Sequence, residues 1–373
     1  MDRAGPRAGR AGVTDASEPA RRAGPGSGPG GAPTAIALSP ILSARYRSRD
    51  LERIRAAAPG ARLVTVSAEG LADGPLDDVE VMLRGWLSSD AFDRLLVRAP
   101  RLAWVHSATS GVERALTPAA LERGLVVTNA RGVFSRPIAE YVLMMILAVS
   151  RRLPQLLELQ RERTWQPLEG AELRDVTVGI VGLGSIGRAV GALATAFGCR
   201  VVAVRRRPEQ EDSADPERTP TGTAAEQSIG DVMLDRVGGP DTLPELLGES
   251  DFIVLAAPLT PETEGMINAT TLELVKPGAW LINVARGRLI DERALLRALR
   301  DGTLGGAVLD TFRDEPLPPT SPFYDLANVI VTPHTAWSSG RVLDRSVELF
   351  CDNLRRFAAG EPLLNVVDPA AGY

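Results

Sequence analysis

The sequence predicts an α/β protein of two doubly wound parallel-sheet domains facing each other across a cleft. Three observations carry that prediction. The chain has 373 residues, two to three times the usual ~100–200-residue domain, so two domains sharing a cleft are expected. Short β-rich runs alternate with helical ones in two series, and strands separated by helices of that length form parallel βαβ units. The second series opens on a Gly-x-Gly-x-x-Gly turn set between an apolar strand and a small-residue helix.

Taken in order, residues 1–34 are expected to be a disordered tail. The first 33 hold eight Gly, five Pro and seven Ala with no apolar period, so they bury too little surface to offset the entropy of ordering. The same Gly and Pro break the amphipathic helix that an Arg-rich transit peptide needs. The first series then runs through a strand at Ala35–Leu38, a helix near Arg49–Ala58, strands at Arg62–Val66 and Val79–Leu83, a helix near Ser89–Arg98 and a strand at Ala103–His106. Pro137–Ser150 is apolar almost all round after Glu140, which predicts a helix buried on most sides or at a subunit interface. The second series extends from Val176 to Val331 and is interrupted by the polar, low-complexity stretch 208–232, read as a surface insertion. The last helix, Val342–Ala359, stops at Gly360 followed by Glu361–Pro362.

Composition removes several function classes. Hydrophobic residues make up 44% and charged ones 24%, ordinary globular proportions that exclude a wholly disordered, collagenous or disulfide-stapled chain. Net charge is −5 and no basic stripe interleaved with aromatics occurs, which argues against nucleic acid and for a small-molecule partner. Lys276 is the single Lys beside 41 Arg, so Arg clusters are partly a compositional bias. Cys199 and Cys351 stand far apart without zinc-site spacing, so no metal site is expected and a reducing compartment, most simply the cytoplasm, is. The longest apolar run, Tyr141–Val149, is half a bilayer span, and the N-terminus lacks an apolar signal core. Neither a membrane nor a secretory reading survives.

The segment VTVGIVGLGSIGRAVGALATAFGCRVVAVRRR predicts a Rossmann-like dinucleotide site. Strand Val176–Val181 leads into Gly182-x-Gly184-x-x-Gly187, then a helix, then strand Val201–Val204. The glycines serve a tight turn, close approach to pyrophosphate and close helix-on-strand packing, while the helix N-terminus offers unpaired N–H groups to the anion. An acid at the end of the second strand would bond the ribose hydroxyls and repel a 2′-phosphate. Here Arg205, Arg206 and Arg207 stand instead, and guanidinium forks match phosphate, so NADP(H) is expected over NAD(H). A merely solvated strand end is the bland reading of the same triplet.

Three further segments follow, each where a β-rich run ends: Asn283-Val284-Ala285-Arg286-Gly287, Leu309-Asp310-Thr311-Phe312-Arg313-Asp314-Glu315-Pro316 and Thr332-Pro333-His334-Thr335-Ala336-Trp337. Together with the glycine turn, LAAPLTPET at 255–263 and FCDNLRRFAAGEPLLNVVD near the end, they resemble the D-isomer-specific 2-hydroxyacid dehydrogenase family over roughly residues 35–373. The resemblance implies that Arg286, Glu315 and His334 are catalytic. The chemistry agrees: a guanidinium can fork onto the carboxylate and keto oxygen of a 2-oxo acid. An imidazole titrates near neutrality and suits acid/base work, and a carboxylate on its other nitrogen favours the imidazolium. Taken singly, a helix-capping Arg and an ordinary turn acid are the favoured readings of Arg286 and Glu315; taken together, in this order after a dinucleotide turn, the catalytic reading is.

The resemblance also implies that Asp310 lies beside the nicotinamide ribose or carboxamide, and that Ser185, Ile186, Pro258, Val284 and Ala285 line the coenzyme. Ser107–Val112 is similar to the family's glycine loop, whose N–H groups hold the substrate carboxylate, which puts Ser110 and Gly111 at the substrate. Gly85 and Trp86 would form another wall. Trp337 either narrows the pocket or simply packs, and His106 is either structural or part of the cleft. By the same resemblance the NAD(P)-binding domain, 134–339, is inserted into a substrate-binding domain of 35–133 and 340–373, and the cleft closes on substrate. Homodimers are usual in the family, with helix 137–150 near the interface. Nothing resembling an effector-binding tail follows Tyr373, so glyoxylate/hydroxypyruvate reductases are a better expected match than phosphoglycerate dehydrogenases carrying one. Formate dehydrogenases of this fold pair their His with Gln, unlike Glu315. The implied reaction is reduction of a small 2-oxo acid to the D-2-hydroxy acid by hydride from NAD(P)H, with NADPH preferred. A dinucleotide-sensing protein, as in the C-terminal-binding-protein corepressors, is the alternative.

Overall fold

The computed structural model describes residues 30–41, 46–208 and 233–369. Most of the expected tail and of the expected insertion, 1–29 and 209–232, lies outside the described residues. The tail boundary expected at 34 falls late, because Gly31 N–H donates to the Ala358 carbonyl at 2.7 Å and Thr34 N–H to Glu80 at 2.7 Å.

The first sheet has β1 (Ala35–Leu38), β2 (Arg62–Thr65), β3 (Val79–Arg84), β4 (Trp104–Ser107) and β5 (Val126–Thr128) in the order β2-β1-β3-β4-β5, all parallel. Helices α1 (Ser48–Ala57), α2 (Ser89–Arg98) and α3 (Pro118–Glu122) connect these strands. β1 is buried at every position, which is why it reads as a continuous apolar run rather than an alternating one.

The second sheet has β6 (Thr177–Val181), β7 (Arg200–Val204), β8 (Arg236–Gly238), β9 (Phe252–Leu255), β10 (Trp280–Asn283), β11 (Gly306–Leu309) and β12 (Val329–Val331). Its order is β12-β11-β10-β9-β6-β7-β8, again all parallel. Strand order reverses between β6 and β9, and ligands of such sheets bind in the crevice outside the carboxyl ends at that reversal. The helices here are α4 (Ser135–Ser150), α5 (Leu153–Arg161), α6 (Ser185–Ala196), α7 (Leu243–Glu249), α8 (Ala269–Leu272) and α9 (Glu292–Asp301). Finally α10 (Val342–Ala359) returns to the first sheet, where Phe350 and Phe357 lie 5.4 and 5.5 Å from the Trp104 ring. The second sheet is thus inserted in the chain that builds the first.

Helix α4 starts before Pro137, which sits in the first turn where its missing N–H costs no bond. Ile138, Val142 and Met145 pack it into the core beneath α6. Helix α5 has no counterpart in the sequence reading. None of its residues is buried, and Leu153, Leu156 and Leu157 stay exposed beside the fully exposed Trp165. Among the described residues no helix is long and apolar enough to cross a membrane.

Candidate active site

The glycine turn sits at the strand-order reversal, and its three glycines are required for different reasons. Gly182 has φ +101°, a left-handed conformation that favours glycine, and a Cβ there would lie 2.5 Å from Ala257 N. A Cβ on Gly187 would lie 2.1 Å from the Gly182 carbonyl oxygen, so α6 can pack on β6 only without one. Gly184, the N-cap of α6, has ordinary extended backbone and open space where a Cβ would be. Nothing within the chain demands glycine at 184. A pyrophosphate laid against the helix N-terminus does, and the residues therefore fit a dinucleotide. Ser185 and Ile186 are half-buried beside it, while Val284 and Ala285 are buried and Pro258 is exposed at the ends of β10 and β9. Past the end of β7, Arg205 turns one guanidinium nitrogen onto the Pro208 carbonyl at 2.8 Å, whereas Arg206 and Arg207 are exposed. The Arg206 charge reaches Glu262 in the loop after β9.

After β10, the buried Asn283 staples the next corner, accepting from Ala285 N–H at 3.1 Å and donating to the Arg286 carbonyl at 3.0 Å. A Cβ on Gly287 would lie 1.9 Å from the Phe312 carbonyl carbon. That close approach brings this corner against the one after β11. There Glu315 accepts from Phe312 N–H at 3.0 Å and faces His334 Nδ1 at 2.8 Å. Burial raises the Glu315 pKa, but the bonds from His334 and Phe312 and the charge of Arg286 outweigh it and hold the carboxyl below its ordinary value. A carboxylate has no proton to give, so His334 Nδ1 carries the hydrogen and Nε2 is left for a ligand.

His334 has φ +50°, uncommon for a residue with a side chain and worth roughly 1–2 kcal/mol of strain. Asp310, only 1% exposed, holds the loop in place. Its carboxylate accepts from Thr332 Oγ1 at 2.6 Å, Thr335 N–H at 2.8 Å and Ala336 N–H at 3.0 Å, and its carbonyl accepts His334 N–H at 2.8 Å. Hydrogen bonds to a charged group are worth about 1.5–3 kcal/mol each, so the loop is held despite the strain. Thr332 spends its hydrogen on Asp310, so Tyr141 on α4 donates to Thr332 at 2.6 Å; burial pushes the Tyr141 phenol up to about 12. Trp337 donates from Nε1 to the His334 carbonyl at 2.7 Å, bracing the loop with the ring partly packed on the core.

From the first sheet, the loop after β4 meets the Arg286 corner. A Cβ on Gly111 would lie 1.9 Å from an Arg286 guanidinium nitrogen, and Glu113 accepts from Arg286 Nε at 3.2 Å. Arg286 also donates to its neighbour's carbonyl, Ala285, at 2.9 Å. Thr109 Oγ1 bonds the Gly111 carbonyl at 2.7 Å and Asn129 the Ser110 carbonyl at 3.0 Å, so the loop is tied down on its carbonyl side. Gly85 is explained by packing, since a Cβ there would lie 1.9 Å from the Pro40 carbonyl oxygen, while Trp86 beside it is exposed. His106 is a core residue: it is fully buried, 5.7 Å from the Phe350 ring and 2.8 Å from Thr128 Oγ1, and burial lowers its pKa to about 3.

Arg286, Glu315 and His334 therefore meet at adjoining corners of the second sheet, facing the Gly111 loop of the first. Glu113, Asn283, Tyr141 and Thr332 complete the arrangement. Glu113 follows the glycine loop by two residues, the one signal from which its place could be read.

The NAD-binding domain of the D-isomer-specific 2-hydroxyacid dehydrogenases matches over residues 143–228 and 224–336. D-3-phosphoglycerate dehydrogenase of Mycobacterium tuberculosis is 36% identical over 294 residues, 78% of this chain; the chain spans about half, 51%, of that relative's length. Glyoxylate reductase of Thermococcus gammatolerans is 34% identical over 297 residues, covering 77% of this chain and 81% of that one. Among solved structures, a D-isomer-specific 2-hydroxyacid dehydrogenase from Xanthobacter autotrophicus Py2, in complex with NADPH and MES, superposes with a TM-score of 0.77 at 30% identity over 92% of this chain and all of that one.

Proposed function

Because the chain belongs to the D-isomer-specific 2-hydroxyacid dehydrogenase family, we propose that it reduces a small 2-oxo acid of the glyoxylate or hydroxypyruvate kind to the D-2-hydroxy acid with NAD(P)H. The observation that carries this reading is the 2.8 Å pairing of His334 with Glu315, beside Arg286 where the second sheet's corners meet the Gly111 loop of the first. The bound coenzyme supplies the hydride. Arg286 binds the substrate carboxylate and polarises the keto oxygen. His334 holds a proton at Nε2 and delivers it to that oxygen, and Glu315 stabilises the imidazolium from the opposite nitrogen. Ser110 and Gly111 hold the substrate from the other sheet, and a closed cleft keeps water from the reacting carbon.

Purified protein should oxidise NADPH with at least one of glyoxylate, hydroxypyruvate, pyruvate and bulkier 2-oxo acids. Absence of turnover with every one would favour a dinucleotide sensor. For the coenzyme, we propose NADP(H) over NAD(H): the Arg205–Arg207 triplet supplies cations where an acid would repel phosphate, and the Xanthobacter structure holds NADPH. The specificity constant for NADPH is expected to exceed that for NADH about tenfold, equivalent to 1.4 kcal/mol; a preference for NADH overturns the assignment.

A homodimer completes the reading. Met144 on α4, Leu153, Leu156 and Leu157 on α5 and Trp165 after it are all exposed large apolar side chains, and exposed apolar patches mark association surfaces. Light scattering should report a dimer, and Leu156→Glu with Trp165→Ser should shift it to monomer. A monomeric parent protein would remove this part.

A further inference from the structure

We propose that Glu113 is an internal counter-ion of Arg286, seated where the substrate carboxylate binds and displaced by it. The inference rests on the reductase reading and makes Glu113 a determinant of substrate affinity. The two residues stand 173 positions apart, one on the loop after β4 and the other after β10, so their ion pair crosses the cleft. On the guanidinium, one terminal nitrogen is committed to the Ala285 carbonyl, and Glu113 takes Nε at 3.2 Å. The remaining terminal nitrogen faces Gly111, and the second Glu113 oxygen lies 2.5 Å from where a Gly111 Cβ would be. Nε and that nitrogen are the edge onto which a carboxylate forks. Glu113 therefore already occupies the edge that a 2-oxo acid needs. Glu315, the other carboxylate nearby, is no rival, because its oxygens are engaged by His334 and Phe312 N–H.

Exposure decides how strong the latch is. The Arg286 and Glu113 side chains are 36% and 51% exposed, and pairs this open to water are weak. A ligand carboxylate can displace Glu113, at a cost of about two- to fivefold in affinity. A residue that merely oriented Arg286 would have the opposite effect, since its loss would weaken binding.

The test compares the full chain with its Glu113→Gln variant, saturated with NADPH, by calorimetric titration of oxamate, a monoanionic 2-oxo acid analogue that is not reduced. KM for glyoxylate is measured in parallel. Melting temperatures check that both fold. The expected result is a two- to fivefold fall in the oxamate Kd with a matching fall in KM. An equal Kd for the two proteins, with turnover intact, overturns the counter-ion role and leaves the reductase reading standing. A weaker Kd in the variant assigns Glu113 to positioning Arg286 and also overturns it. Tighter oxamate binding without turnover of any 2-oxo acid keeps the counter-ion and removes the reductase. Oxamate bound by neither protein overturns both.

Discussion

His334→Ala is expected to lower kcat for 2-oxo acid reduction by between a hundredfold and ten-thousandfold, the usual worth of a positioned acid/base. Coenzyme affinity, read from quenching of protein fluorescence, should stay within about twofold, because the glycine turn lies on a different corner of the sheet. The partner residue gives the sign of the pH dependence. Burial would raise the Glu315 pKa, but its bonds from His334 and Phe312 N–H hold it below the ordinary carboxylate value, so the group remains an anion well into acid and supports the protonated imidazole. Reduction consumes that proton, so the rate falls as pH rises. Glu315→Gln removes the anion, and kcat/KM for reduction should fall by about tenfold or more. An unchanged kcat/KM would detach Glu315 from the proton transfer, and near-normal turnover in His334→Ala would detach His334.

Arg286→Gln should be comparably damaging, lowering kcat/KM by about a hundredfold to a thousandfold, the range measured when one preorganised donor to a developing oxyanion is deleted. The loss should appear in both KM and kcat, since the same guanidinium binds the carboxylate and polarises the carbonyl. Arg286→Lys should recover only part of it, because an ammonium keeps the charge but not the planar fork. Oxamate titration separates the two contributions: weakened binding reports the carboxylate, and any further loss in kcat reports the keto oxygen. Full activity in Arg286→Gln would move substrate anchoring elsewhere.

Much of this architecture is legible in the chain because each piece of evidence is local. Strands buried on both faces, such as β1 and β9, are apolar throughout, and Gly182, Gly184 and Gly187 announce one turn within six residues. Arg286, Glu315 and His334 each sit in a short segment closing a strand. What escapes sequence reading is what the cleft or another subunit creates. Glu113 meets Arg286 only because two sheets face each other, and Gly85 is explained only by the Pro40 carbonyl that passes it. Helix α5 spaces Leu153, Leu156 and Leu157 at i, i+3 and i+4, but that stripe covers no core among the described residues, so what it packs on is not legible in the chain. The resemblance ties Asp310 to the coenzyme, and its hold on the loop bearing His334 is a further role that residue identity does not announce. Main-chain partners of that kind leave no trace in residue identity.

That last point bears on how such a protein can change over evolutionary time. Since the buried aspartate grips peptide N–H groups, the half-buried side chain at 335 is free to be exchanged while the histidine stays aimed. Neighbouring positions can then drift toward new acids without retuning the proton donor, so a single rigid bracket would let one scaffold diversify its diet.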